Sequence, residues 1–247
     1  MITSVKIKIK IKYNGTNYFG WQRIPGKPTI QEEIEKALFQ FHRVKIQIYG
    51  ASRTDAGAHA DGQIAHFIPP QTFVPIDYAG QLNSYLPKDI RILSAEVVPH
   101  EFHARESSHS KVYEYCITTN PEDSCYYCVY WKRFRGLDIM LMNEACQYIL
   151  GEHDFKSFQS SGSRTKTTIR KILHASWRQE AGRYIFHIQG TAFLKYMVRN
   201  LVGSMCLVGN KKMRVSDFEN IMNKKNRSSA GPTAPSGGLV LKEIIYI

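Results

Sequence analysis

The sequence predicts an α+β protein of two similar halves, each a mainly antiparallel sheet flanked by helices. Three observations carry that prediction. Runs of alternating apolar and polar residues take turns with runs of helical period along the 247 residues. Two strand-like runs, "TTIRKILHASWRQ" and "RYIFHIQG", are separated only by Glu180-Ala181-Gly182, which reads as a hairpin and so favours antiparallel pairing over a parallel doubly wound fold. Near the middle, "PHEFHARESSHS" is polar and unpatterned, and marks a boundary between residues 1–104 and 105–247.

The elements follow in order. Val5, Ile7, Ile9, Ile11 and Tyr13 alternate with Lys6, Lys8, Lys10 and Lys12, a half-buried strand whose outer face is cationic or whose lysines blunt a sheet edge. Thr29 stands before Ile30, Ile34, Ala37, Leu38 and Phe41, an apolar stripe of helical period, and Glu32 completes a capping box. "VKIQIYG" and "GQIAHFI" read as strands, residues 77–86 as a short helix and "IRILSAEVV" as a strand. In the second half, "KVYEYCITT" is a strand and "LDIMLMNEACQYIL" a helix. The hairpin comes next, then helices at about 193–209 and 215–223 and a last strand, "GLVLKEIIYI". "FQSSGSRTKTT" and "KKNRSSAGPTAPSGG" are loops by composition.

Composition narrows the function classes. An apolar fraction of 43% and an aromatic fraction of 12% belong to a packed globular chain. The net charge of +12 points to an anionic partner, and it is concentrated in residues 150–247, which hold 16 Lys/Arg against 6 Asp/Glu. The most apolar stretch, Ala192 to Gly209, is interrupted by Lys195 and Arg199, so no segment has the roughly 18 uninterrupted apolar residues of a membrane span. The opening "MITSVKIKIKIKY" lacks a secretory signal's apolar core, and five cysteines, an odd number, fit reduced thiols and a cytoplasmic location. Cys125 and Cys128 form a CxxC without the second pair a zinc site needs, so no metal is expected. No phosphate-cradling or dinucleotide-binding glycine motif is present, so no nucleotide cofactor is expected either.

The stretch Gly50 to Ala60, "GASRTDAGAHA", carries the chemistry. Arg53 beside Asp55 holds the carboxylate ionised, and Ala56, Gly57 and Ala58 are too small to obstruct what approaches it. The same residues suit a salt-bridged turn. Tyr113 and Tyr115 share a strand face, as core residues or as stacking platforms for a base. On the 193–209 helix, Leu194, Met197, Val198, Leu201, Val202, Met205 and Val208 form an apolar arc. Arg199 lies roughly 60° beyond it, on the flank of Lys195, where a guanidinium reaches a cleft or snorkels to solvent. Arg164 and Lys166, in the first loop, suit phosphate contacts.

These residues resemble the tRNA pseudouridine synthase A family, whose usual motif reads G-R-T-D-A-G-V-H-A. The resemblance continues through "YNGTNYFGWQ", "EFHARESSHSKVYEY", "GEHDFKSFQ", "GTAFLKYMVRNLVGSM" and "APSGGLVL", in the family's order, and spans essentially the whole chain. It implies a pseudouridine synthase-like fold with the active-site cleft between the halves, conversion of uridine to pseudouridine without metal or cofactor, a tRNA anticodon stem-loop as substrate, and a homodimer. By position, Asp55 matches the catalytic aspartate and Tyr113 the substrate-contacting tyrosine. Arg199 matches the basic partner of that aspartate, and Arg53 the arginine that holds the target nucleotide out of its stack. Lys195, Arg164, Lys166 and His59 are the remaining candidate RNA contacts. Ser52 replaces a glycine and Ala58 a valine at the motif's periphery, Trp131-Lys132 stands where the family has Trp-His, and 121–136 departs from the pattern. The alternatives are the same chemistry on ribosomal RNA, a catalytically silent RNA-binding module, and a metal-binding regulator built on Cys125 and Cys128.

Overall fold

The computed structural model describes residues 5–70, 77–134, 136–163 and 165–247. Its elements are β1 (Lys6–Tyr13), α1 (Ile30–His42), β2 (Tyr49–Gly50), β3 (His59–Phe67), α2 (Tyr78–Asn83), β4 (Ile90–Val98), β5 (Ser108–Thr118), β6 (Cys128–Tyr130), α3 (Ile139–Gln147), β7 (Gly151–Asp154), β8 (Ile169–Glu180), β9 (Arg183–Gly190), α4 (Met197–Gly209), α5 (Val215–Lys224) and β10 (Leu239–Tyr246). The predicted α+β class holds. The chain falls into two compact units: Met1–His109 with Leu241–Ile247, and Ser110–Val240.

In the first unit β1 lies between β4 and β3, antiparallel to both, so it is a central strand and its lysines do not blunt an edge. Ile7, Ile9, Ile11 and Tyr13 are buried, as the alternation requires. Lys8 pairs with Glu96 at 2.6 Å, Lys12 with Asp61 at 3.1 Å, and Lys6 donates to the Phe102 carbonyl at 2.9 Å. Much of the cationic face is therefore tied down within the unit.

Two local expectations do not hold. Thr29 does sit at the N-cap of α1, but its side chain makes no cap bond, and its buried Oγ1 has no partner among the described residues. The helix start is satisfied by the preceding loop instead. The Ile30 and Gln31 amides donate to the carbonyls of Gly20 (3.1 Å) and Trp21 (3.0 Å), while Glu32 turns to Lys36. The strand expected over "VKIQIYG" shrinks to Tyr49–Gly50. At Ile48 the backbone is taken by helix side chains: its N–H donates to Glu35 (3.2 Å) and its carbonyl accepts from Gln31 (3.3 Å).

In the second unit β5, β9, β8 and β7 follow one another antiparallel, with β6 added parallel to β5. The β8–β9 hairpin closes on Ala181 (φ 46°) and Gly182 (φ 76°), a two-residue turn with both φ values positive, as strand twist favours. The strands β6 and β7 were not expected. They are three and four residues long, too short for a period to show. Cys125 and Cys128 face each other across a tight turn, each amide donating to the other's carbonyl at 3.0 Å. Among the described residues no group of three or more His, Cys, Asp or Glu is arranged to hold a metal ion, and no helix is long and apolar enough to cross a membrane.

Candidate active site

Asp55 sits in the loop that leaves β2 and enters β3, and several backbone groups of that loop are anchored. Gln63, fully buried on β3, clamps Ser52: its Nε2 donates to the Ser52 carbonyl (2.7 Å) and its Oε1 accepts the Ser52 amide (3.2 Å). The Thr54 hydroxyl bonds the Tyr13 hydroxyl at 2.8 Å, and the Thr54 carbonyl accepts the Trp21 amide at 3.2 Å. The Asp55 carbonyl accepts the Ala58 amide (3.1 Å), which closes a four-residue turn. Its third position, Gly57, has φ 77°, a conformation that glycine adopts without steric cost. The Gly57 amide donates to the Tyr18 carbonyl at 3.0 Å.

The partner in half of these contacts is the stretch "YNGTNYFGWQ". Its glycines are there because the two loops touch. A Cβ on Gly15 would overlap the Ala58 carbonyl, and one on Gly20 (φ 87°) would lie 2.5 Å from the Thr54 carbonyl oxygen. The tight packing leaves Asp55 half-buried, with Arg53 and Ala56 exposed on either side of it. The backbone that carries this carboxylate therefore has little conformational freedom to lose when a substrate arrives. His59, expected as an RNA contact, does not face solvent. It is 2% exposed, and its Nδ1 accepts the Gly15 amide at 3.1 Å, so it belongs to the brace.

In the second unit Tyr113 and Tyr115 lie on the same face of β5 and both are buried, at 4% and 0% exposed. Tyr115 is a core residue: it is fully buried, its hydroxyl donates to the Pro235 carbonyl at 2.7 Å, and burial raises its pKa. Tyr113 packs edge-on against Phe193, ring centroids 5.1 Å apart. The apolar arc of α4 is buried as read, but the helix begins at Met197, behind Tyr196 in the left-handed region (φ 65°). Lys195 is therefore outside the helix and shares no helical flank with Arg199. The two cations converge by another route, both over the Tyr196 ring, at 5.3 Å and 4.7 Å. Arg199 is half-buried, and its Nε donates to the Ala234 carbonyl at 2.7 Å. Lys166 is exposed in its loop, and Arg164 lies outside the described residues.

Sequence reasoning missed the brace itself and the docking of residues 230–235 on α4. The signal was present in Gly15, Gly20, Gly203 and Gly231, each of which a Cβ would drive into backbone.

The profile of a family described as tRNA pseudouridine synthase matches residues 9–105 and 145–247, which takes in Arg53, Asp55 and Arg199 and leaves out Tyr113 and the departing segment 121–136. The chain is 40% identical to tRNA pseudouridine synthase A of Streptococcus thermophilus over 98% of its own length and 99% of the relative's. It is 39% identical to the Clostridium acetobutylicum protein of that name (97% and 99%) and 40% identical to the Histophilus somni one (98% and 90%). Among solved structures, a Cbf5-Nop10-Gar1 complex aligns with 81% of this chain and 54% of that one at 12% identity and a TM-score of 0.36, a likeness too slight to argue from. On the profile and the full-length relatives together, the chain belongs to the tRNA pseudouridine synthase family.

Proposed function

We propose that this chain isomerises uridine to pseudouridine in the anticodon stem-loop of tRNA, with Asp55 as the nucleophile. The observation that carries the reading is the brace around Asp55: a loop held against a second loop carries the half-buried carboxylate between the exposed Arg53 and Ala56, in a chain of this family. In the reaction Asp55 attacks C1′ as the N1–C1′ bond breaks. The uracil rotates, C5 joins C1′ as the ester breaks, and the C5 proton is lost while N1 gains one. The target base must leave its stack, which costs a few kcal/mol.

Tyr113 then supplies the ring against the uracil, and Arg53 and Arg199 the cationic contacts to the target nucleotide. Lys166 and Lys195, both exposed, meet phosphates, with the +12 charge behind them. A cytoplasmic site of action fits five cysteines that form no disulfide, and the homodimer is taken from the family resemblance. The relatives' names favour tRNA over ribosomal RNA.

The test is to incubate the protein with unmodified tRNA transcripts and with ribosomal RNA fragments, and to map pseudouridine in each. Product at anticodon stem-loop uridines is expected. Product in ribosomal RNA alone would overturn the substrate, and none in either would overturn the reaction.

A further inference from the structure

Arg199 is not aimed by its helix alone. Its backbone carbonyl accepts the Ala234 amide at 3.1 Å and its Nε donates to the Ala234 carbonyl at 2.7 Å, so one loop residue grips both the main chain and the guanidinium. A shift of Ala234 would carry with it one of the contacts that hold the head of Arg199. Residues 230–235 form no regular element, so something outside the loop must fix it.

That something is Arg227. Its guanidinium fork spans four acceptors: Nη1 donates to the carbonyls of Ala230 (3.3 Å) and Gly231 (3.0 Å), and Nη2 to Asn200 Oδ1 and Thr233 Oγ1 (3.0 Å each). Asn200 follows Arg199 on α4 and Thr233 precedes Ala234, so the fork joins the two chain segments one residue away from the grip. The Thr233 hydroxyl donates to Asn200 Oδ1 at 2.7 Å, and Asn200, fully buried, donates from Nδ2 to the Phe158 carbonyl at 2.8 Å. Ser204 Oγ accepts the Gly231 amide at 2.8 Å and donates to the Asn200 carbonyl at 2.8 Å. Gly203 lets the loop come this close, since a Cβ there would overlap the Pro232 carbonyl. A planar fork of fixed geometry can bridge four acceptors in this way; an ammonium cannot.

We propose that Arg227 is a positioning residue for Arg199, holding the 230–235 loop on α4 so that Ala234 aims the Arg199 guanidinium. The proposal rests on the role given to Arg199 above. The experiment measures single-turnover pseudouridine formation, tRNA dissociation constant and melting for Arg227→Gln, Thr233→Val, Arg199→Ala and each double variant with Arg199→Ala. A misplaced catalytic contact costs up to ~100-fold in rate, so Arg227→Gln should be slower by about 10–100-fold with its tRNA affinity kept. Thr233→Val, which removes one link and spares the fold if Arg227→Gln does not, should show a smaller loss of the same kind. Both losses should vanish in the Arg199→Ala background, because there is no guanidinium left to aim. Losses that multiply with that of Arg199→Ala would overturn the positioning role alone. An Arg199→Ala variant as fast as wild type would overturn the assigned role of Arg199, and the present proposal with it.

Discussion

Gly20→Ala is the sharpest probe of the brace, because the damage can be worked out from the structure. Gly20 has φ 87°, where an L side chain is strained by roughly 1–2 kcal/mol. The new Cβ would also lie 2.5 Å from the Thr54 carbonyl oxygen, 3.0 Å from the Asp55 carbonyl carbon and 3.1 Å from the Ala56 amide nitrogen. These are backbone atoms of the catalytic loop, so the loop itself must move, by about 0.5–1 Å to reach ordinary contact at ~3.5 Å. Displacement on that scale costs on the order of 100-fold in rate when the moved group does the chemistry. Strain and repacking together should lower stability by about 2–3 kcal/mol, a melting shift of roughly 5–10 °C for a chain of this size. Gly26→Ala is the control. Gly26 also has positive φ (71°), yet a Cβ there meets nothing within 4 Å, so it incurs the strain without moving Asp55. Single-turnover rates at a temperature where both variants are folded separate the terms. If Gly20→Ala is no slower than Gly26→Ala, the brace does not position Asp55.

The other predictions follow from single contacts. Tyr113→Phe should keep its packing on Phe193 and its melting temperature, whereas Tyr113→Leu should slow single-turnover by ~5–150-fold, the equivalent of ~1–3 kcal/mol of lost stacking; full activity in the leucine variant would remove Tyr113 from the site. His66 is buried, its Nδ1 accepts the Ala104 amide, and burial with His103 and Lys6 nearby holds its pKa at about 4 against 6.5 when unfolded. The unfolded chain therefore takes up a proton that the folded one refuses, and stability falls as pH drops from 6.5 towards 4, by up to ~2 kcal/mol at about pH 5. Urea midpoints should show that slope reduced in His66→Gln, and an unchanged slope would contradict it. Ala181→Gly, at φ 46° in the β8–β9 turn, should raise stability by ~0.5–1 kcal/mol, read as a later denaturation midpoint.

Where side chains alternate or recur over many residues, the sequence was legible. The pattern of β1, the bounds of β4 and the apolar arc of α4 were all visible, because burial of one face dictates residue type. Legibility failed where tertiary contacts replace local chemistry. Thr29 and Glu32 spell a capping box, but carbonyls of Gly20 and Trp21 reach the helix start first. "VKIQIYG" has strand composition, but Gln31 and Glu35 take up backbone groups at Ile48. α4 starts late because Tyr196 is left-handed, a conformation that a tyrosine code does not announce. At the site, Asp55 and its small neighbours stood out as residues, whereas the brace that holds them did not. Its bonds run mostly through backbone atoms of a distant loop, and only the spacing of Gly15 and Gly20 hints at them.

The central claim is that the braced carboxylate of Asp55 does the chemistry, and Asp55→Asn tests it most directly. The substitution keeps size and hydrogen-bonding reach and removes the charge, so the loop anchored by Thr54, Gly57 and Ser52 should stay as it is. Under single-turnover conditions with an unmodified tRNA transcript, the variant should bind RNA and melt like the wild type and form no pseudouridine. Pseudouridine formation within ~tenfold of the wild-type rate would show that Asp55 is not the nucleophile.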